Sequence, residues 1–325
     1  MISDPIDAEL SKSVRTREPR EKALRLRQAI SRGTAMDPRI QYCVTQIEHK
    51  ILHESTEHNT HDALIQDLAS QIGLTRFHLA RLFQKYLQLS PRDYIHRSLM
   101  GRCALVIAHT SQPIFSIAID TGFSSQQAFT RAFTHYWGIS PHKFRDAHCR
   151  YAAQYARRLG EGARTRPSIA PVIEHLGQVS FWAVRYEGMS FERHACWNDF
   201  ARLCDPLAPE IRKGPYFGLT YDTPMFVPAT LMRYYCGIRA SGNPGQRPDG
   251  AFEIALPEGR VASVQGDFLM GEIPGIYDEL LNSWLPTSGY TLSAACFVEQ
   301  FYELPRHWDE HRTPMKLSCW IQRLH

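Results

Sequence analysis

The 325-residue chain has no run of apolar residues approaching the length of a bilayer-spanning helix, and its start carries Asp4, Asp7 and Glu9 where a secretory leader would be apolar. No membrane partner is expected, and the cytoplasm is the expected compartment. The eight cysteines, at positions 43, 103, 149, 196, 204, 236, 296 and 319, include no C-x-x-C pair and no His/Cys cluster at zinc-ligand spacing. A disulfide framework and a structural zinc site are thereby excluded, and reduced, mostly buried thiols are expected. Also missing are a nucleophile elbow, a metal-ligand cluster and a phosphate loop. The expectation is a chain that is not an enzyme and that uses neither metal nor cofactor. No long low-complexity stretch interrupts a composition that is 43% hydrophobic and 22% charged, so the chain is globular. Its length is roughly twice that of a usual domain, which predicts two domains with proper cores.

Charge is unevenly spread. Residues 1–35 hold eight basic and five acidic side chains, residues 36–150 twelve and nine, and residues 151–325 seventeen and nineteen. Ten of the fifteen histidines also fall between 36 and 150, so the amino-terminal half is the side suited to a polyanion. Residues 1–35, broken by Pro5 and Pro19, read as a basic, flexible extension before a start near Met36, with "REKALRLRQAIS" as a short basic helix or arm.

From Pro38 to about His148 the apolar residues recur at helical spacing and are cut by Gly73, Pro91, Pro113, Gly122, Gly138 and Pro141, which predicts an all-α domain over 36–150. Residues 151–169 run into Gly, Arg and Pro and read as a linker. Beyond it the period changes. "VSFWAVRYEG", "PYFGLTYD", "RYYCGIRA", "GRVASVQGDF", "FVEQFYEL" and "KLSCWIQRL" are rich in aromatic and β-branched residues and bounded by turn formers, as strands are. Amphipathic helices around Trp197–Cys204 and Ile276–Leu285 fall between them. The expected fold class is therefore multidomain: an all-α tandem helix-turn-helix domain, then an α+β domain over 170–325 built from two pseudo-repeated β-α-β-β units.

The all-α half holds two similar blocks, "ALIQDLASQIGLTRFHLARLFQKYLQLSPRDYI" and "PIFSIAIDTGFSSQQAFTRAFTHYWGISPHKFR". Aligned on Gly73 and Gly122 they differ by one residue, and placing that residue in the turn brings Leu79 onto Phe129 and Phe83 onto Phe133. In a helix-turn-helix the second helix must be apolar toward its partner and hydrogen-bonding toward a DNA groove. Phe129, Phe133 and Trp137 form the apolar stripe, and Gln126, Gln127 and Arg131 lie outward near the helix start. Gln suits adenine and Arg suits guanine in the major groove. In the first block Phe77, His78 and Arg81 are outward, with Phe77 suited to a thymine methyl. Residues 92–109 predict a connecting helix of about 27 Å, close to the roughly 34 Å of one B-DNA turn, so one chain spans two successive major grooves.

Residues 38–146 resemble the tandem helix-turn-helix domain of AraC/XylS-type transcriptional regulators, most plainly in "GFSSQQAFTRAFTHYWGISPHKFR". The resemblance implies double-stranded DNA as target, RNA polymerase as partner, an activator as the kind of regulator, and Phe77, His78, Arg81, Gln126, Gln127 and Arg131 as DNA-binding residues. Ala80 and Ala128 stand where such regulators often carry a polar reader.

In "CFVEQFYEL" strand alternation puts Phe297, Glu299 and Phe301 on one face, a carboxylate between aromatic rings and hence an environment for a cation. Trp284 and Tyr221 are candidate further walls. Residues 170–325 resemble the gyrase-inhibitory-protein-like (GyrI-like) effector-binding domain, through the doubled β-α-β-β order, "LNSWLPTSGY" and the strand bearing Glu299. This implies a small-molecule effector, cationic or amphipathic, bound at Glu299, Trp284, Tyr221, Phe297 and Phe301. The order of domains is similar to that of the Rob-type regulators. This chain has "EQF" where that family often has Glu-x-Tyr. Two other readings of the second half stand beside this one: a ligand-hydrolysing enzyme, and a protein-interaction module whose pocket is filled by its own side chains.

Overall fold

The computed structural model describes residues 37–53, 60–150, 169–187, 193–222, 232–240, 247–305 and 311–324. The chain divides into two compact units, Met1–Arg158 and Leu159–His325. The expected extension 1–35 and nearly all of the expected linker 151–169 lie outside the described residues.

In the first unit α1 (Pro38–His53) is followed by α2 (Thr60–Gln71), α3 (Arg76–Leu87), α4 (Pro91–His109), α5 (Ile114–Asp120) and α6 (Gln126–Trp137), and residues 141–150 are helical. Their starts are written locally. Thr75, Ser90 and Ser125 cap α3, α4 and α6, each accepting a backbone N–H three residues on. Pro91 occupies the first turn of α4, where a missing N–H costs nothing. Gly73 and Gly122 adopt φ values of 68° and 83° in the turns before α3 and α6, a region that only glycine enters without strain.

The caps also locate the residue by which the two blocks differ. Thr75 is two positions after Gly73 and Ser125 three after Gly122, so the extra residue lies in the second turn. Counting from the caps, Leu79 matches Phe129, Phe83 matches Phe133, and Arg81 matches Arg131. The match continues past each helix: Phe83 meets Tyr94 edge-on at 6.0 Å, and Phe133 meets Phe144 edge-on at 5.4 Å. α4 is buried on nearly all sides, as its mixed apolar pattern requires of a central helix. Its nineteen residues span about 28 Å.

The second unit contains one sheet in the order β1-β6-β8-β7-β3-β4-β2-β5, with neighbouring strands antiparallel throughout. The strands are β1 (Val172–Leu176), β2 (Val179–Glu187), β3 (Tyr216–Thr220), β4 (Arg233–Arg239), β5 (Phe252–Leu256), β6 (Gly259–Phe268), β7 (Tyr290–Phe301) and β8 (Thr313–Arg323). Helix α7 (Arg193–Cys204) lies between β2 and β3, and α8 (Ile273–Glu279) between β6 and β7. Read inward, β6-β8-β7 has the same order as β2-β4-β3. The two edge strands were not expected. β1 pairs with β6 and β5 with β2, so each five-residue edge strand joins the far half of the chain. Their sequences, "VIEHL" and "FEIAL", are too short and too mixed to announce a strand locally. β7 also begins earlier than expected, because its register breaks between Leu292 and Phe297.

Both faces of this sheet bury apolar side chains, with Phe181, Phe217, Leu219 and Tyr235 on one and the following cluster on the other. Trp182, Trp197, Phe200, Tyr216, Phe301 and Leu317 belong to a single buried cluster that joins β2, β3, β7 and β8 to α7. Seven of the eight thiols are buried, and burial pushes those of Cys43 and Cys103 up to about 12, which keeps them protonated and unreactive.

His109, the last residue of α4, packs its ring 4.5 Å from that of His148. Burial first, and the neighbouring His148 second, hold the His109 pKa well below its ordinary 6.5. The unfolded chain therefore binds the proton first as pH falls. The stability contributed by neutral His109 is complete above 6.5 and is lost as pH drops from there toward the folded value. Urea unfolding of the first unit is expected to show a lower midpoint at about pH 5.5 than at about pH 7.5, with the difference reduced in His109→Phe.

Candidate functional site

The exposed start of each second helix forms the first candidate site. Phe77, His78 and Arg81 are exposed on α3, as are Gln127 and Arg131 on α6, while Gln126 is half-buried at the first helical position. Leu79, Phe83 and Leu87 hold α3 down, and Phe129, Phe133 and Trp137 hold α6. Neither helix has an acidic residue in its first turn, so the positive end of each helix dipole is uncompensated and favours an anion. Among the described residues no carboxylate is bonded to Arg81 or Arg131, which leaves both guanidinium groups available to a base or a phosphate. The Arg76 guanidinium lies 5.1 Å from the Phe77 ring centroid.

Seen from the caps, the two helices offer the same pair of places. Phe77 and Arg81 are the second and sixth residues after Thr75, and Gln127 and Arg131 are the second and sixth after Ser125. Residues four apart project from one side of a helix, so each helix presents a matched pair of outward side chains. His78 matches Ala128 in this frame, and Ala80 matches Thr130.

The second site is built around Glu299. β7 pairs with β3 so that Gly218 faces Glu299, and β3 pairs with β4 so that Thr220 faces Tyr234. The Tyr234 hydroxyl donates to Glu299 Oε2 at 2.6 Å and accepts from Trp197 Nε1 at 3.1 Å. Glu299 is fully buried. A carboxylate taken out of water costs several kcal/mol unless hydrogen bonds and charge repay it, so this acid is held at a cost the fold must offset. Gly218 makes the contact geometrically feasible: a Cβ there would stand 2.2 Å from the Tyr234 hydroxyl and 2.8 Å from Glu299 Oε2.

The rings expected around Glu299 are distributed as follows. Phe297 packs 5.1 Å from Tyr277 of α8, whose hydroxyl donates to the Val298 carbonyl. Phe301 packs 5.2 Å from Trp197 of α7. Glu299 therefore sits on its strand between the anchor points of the two helices. Trp284 is half-buried and stacks on Tyr290 at 6.4 Å, one turn beyond α8. Tyr221 is not on this side. Its ring meets Tyr235, the neighbour of Tyr234 in β4 and so on the opposite face of the sheet, and the Arg233 guanidinium, itself bonded to Asp222, lies 5.9 Å from it.

Tyr234, Trp197 and Gly218 carry no sequence signal that would join them to Glu299. The hydroxyl that "EQF" lacks in its own strand arrives from a strand sixty-five residues earlier. Asn282 was missed as well. It lies in a π turn, Leu280–Trp284, where it is 4% exposed and neither amide atom has a hydrogen-bond partner. π turns are frequent at functional sites because they redirect side chains that an α-helix would place elsewhere. Among the described residues no group of three or more His, Cys, Asp or Glu side chains is placed to hold a metal ion, and no helix is long and apolar enough to cross a membrane.

Residues 68–147 match the family described as "Helix-turn-helix domain", and residues 189–321 match the "GyrI-like small molecule binding domain". The chain is 31% identical over 97 residues to the multiple antibiotic resistance protein MarA of Escherichia coli (strain K12), covering 30% of this chain and 76% of MarA. It is 30% identical over 99 residues to the lactose operon transcription activator of Staphylococcus xylosus, covering 30% of this chain and 35% of that protein. A crystal structure of a transcriptional regulator with an AraC-type DNA-binding domain, from Chromobacterium violaceum, is 26% identical with a TM-score of 0.30 and covers 34% of this chain and 92% of that one.

Gly218→Ala is expected to lower the unfolding free energy by about 1–3 kcal/mol, the usual cost of overpacking, because Tyr234 and Glu299 must move apart. Gly177→Ala, where an added Cβ meets nothing within 4 Å, serves as the control and should leave the thermal midpoint near wild type.

Proposed function

Because the chain belongs to the AraC/XylS family of transcription regulators and carries a GyrI-like small-molecule-binding domain, we propose that it is an effector-modulated activator that reads two successive major grooves. Residues 36–150 are its DNA-binding domain and 170–325 its effector domain, joined by 151–169, with 1–35 a basic extension. The second domain is read as two β-α-β-β repeats that share one sheet. Its target is double-stranded DNA, its partner in activation is RNA polymerase, and it works in the cytoplasm where that DNA is held. It is a binding protein and not an enzyme.

The observation that supports DNA reading most strongly is the exposed arginine at the sixth position after each cap, Arg81 and Arg131, over equivalent buried phenylalanines. Arginine pairs bidentately with guanine, and Gln127 with adenine, in the major groove. Nearby exposed basic groups such as Lys85 and Lys143, with the helix amino termini, supply phosphate contacts. Selection from random duplexes is expected to yield an asymmetric site with two half-sites about one turn apart. In titrations at two salt concentrations, Arg81→Ala and Arg131→Ala should each cost about 1–3 kcal/mol and relax specificity in a different half-site. Salt-sensitive binding without sequence preference would refute the reading.

For the effector, the supporting observation is the buried Glu299 between Phe297 and Phe301, with a hydroxyl from Tyr234. A negative carboxylate beside ring faces favours a cationic or amphipathic molecule. Asn282, with both amide atoms buried and unpaired, is the group on hand to bond a polar substituent. Occupancy changes DNA affinity by linkage between the two sites. Tetraphenylphosphonium, a lipophilic cation without hydrogen-bonding atoms, is a suitable calorimetric probe. Its affinity should fall at least tenfold, about 1.4 kcal/mol, in Glu299→Gln. Equal binding by wild type and variant would remove Glu299 from the site. Turnover of a bound ligand that disappears in Glu299→Gln would instead favour the hydrolase reading.

A further inference from the structure

The two reading pairs are equivalent in place and unlike in chemistry. The sixth position after the cap is arginine in both helices. The second position is Gln127 in α6 and Phe77 in α3. Phe77 is 70% exposed, the most exposed of the large hydrophobic side chains among the described residues. It is not covered by the core of its own unit, for which Leu79, Phe83 and Leu87 serve on the other side of α3. The Arg76 guanidinium, 5.1 Å from its ring, restricts where the ring can lie and keeps a positive charge beside it. Ala80, three residues on and half-buried, adds a second apolar surface beside it.

A phenyl ring cannot exchange a hydrogen bond with a base edge. In the major groove every feature of the four base pairs is a donor or an acceptor, with one exception, the C5-methyl group of thymine. An exposed ring at a reading position thus has one chemical partner in DNA, and that partner is also present on 5-methylcytosine. Cytosine and uracil present a bare C5–H at the same place and offer the ring less apolar surface to cover.

We propose that α3 is a reader of pyrimidine C5-methyl groups through Phe77, so that one position of the first half-site favours a methylated pyrimidine and accepts 5-methylcytosine in place of thymine. This rests on the reading of α3 as a recognition helix. The complete rule for the two helices is then a methyl and a guanine for Phe77 with Arg81, and an adenine and a guanine for Gln127 with Arg131. Methylation of a cytosine at that position strengthens binding by about the same factor as a thymine does, roughly fourfold, which makes the first helix responsive to the methylation state of its DNA.

The test uses the full chain and the duplex obtained by site selection, with affinity read by fluorescence anisotropy at fixed salt. Each thymine is replaced in turn by deoxyuridine, which removes only the methyl group. One position in the half-site relaxed by Arg81→Ala should weaken wild-type binding by about fourfold, the equivalent of one methyl group withdrawn from contact. At that position a 5-methylcytosine pair should bind better than a cytosine pair by a similar factor. Phe77→Ala, at an exposed site and checked for native helix content, should bind the thymine and deoxyuridine duplexes equally, while Phe77→Leu retains part of the difference. A flat deoxyuridine scan with wild type, or an undiminished methyl effect in Phe77→Ala, overturns the proposal. If selection yields no preferred site at all, the DNA-reading assignment itself fails, and that outcome is visible before any base is modified.

Discussion

The arrangement of the first unit depends on an aromatic contact made beyond the ends of α3 and α6. Phe83 rests on Tyr94 and Phe133 on Phe144, and both partners belong to the helix that follows. Because the clamp is on the inner side, together with Leu79 and Phe129 in the first turns, the outer side of α3 and α6 is free of packing duties. Buried rings of this kind contribute both apolar area and edge-to-face electrostatics, so a large part of the stability of each helix is concentrated at one place. That concentration is what permits Phe77, Gln127 and the two arginines to stand in solvent. The glycine turns then set the direction from which each helix arrives, and their positive φ leaves little choice of residue.

The second unit presents the reverse case, since its candidate group is inside. Glu299 is placed by pairing between β3 and β7, bonded by a tyrosine from β4, and that tyrosine is bonded by a tryptophan from α7. Four segments distant in sequence must be correct at once for one carboxylate to be buried without a severe penalty. A fold that needed only stability would place an apolar side chain there, as it does at Phe297 and Phe301 on the same strand. The buried acid, the glycine that clears space for it and the unpaired amide of Asn282 in a π turn are departures from local rules of the kind that concentrate at binding sites.

Legibility from the sequence followed the range of the interactions involved. The helices of the first unit, their caps and the buried stripe Phe129, Phe133 and Trp137 were readable because capping and helical periodicity act over three to eight residues. Strands β2, β3, β4, β6 and β8 were readable from composition for a similar reason. The short edge strands β1 and β5 were not, because they exist through pairing with a strand from the other half of the chain. Alternation along β7 placed Phe297, Glu299 and Phe301 together correctly as positions on one face. It had no means of showing that Tyr221 faces the other way, since a side chain in another strand is located by register and not by its own neighbours.

What the chain determined by its sequence alone, then, was the presence of two structural units of different class, the doubled helix-turn-helix with its outward residues, and the strand that bears Glu299. What only the tertiary structure decided was the company these residues keep: the matching of Arg81 with Arg131 through the caps, the hydroxyl of Tyr234 on Glu299 over Gly218, and the packing of Tyr221 on Tyr235 across the sheet from Glu299. The physical reason is that local propensities are fixed by neighbours along the chain, whereas strand register and side-chain partnership are chosen by burial and hydrogen bonding summed over segments that meet only when the chain folds.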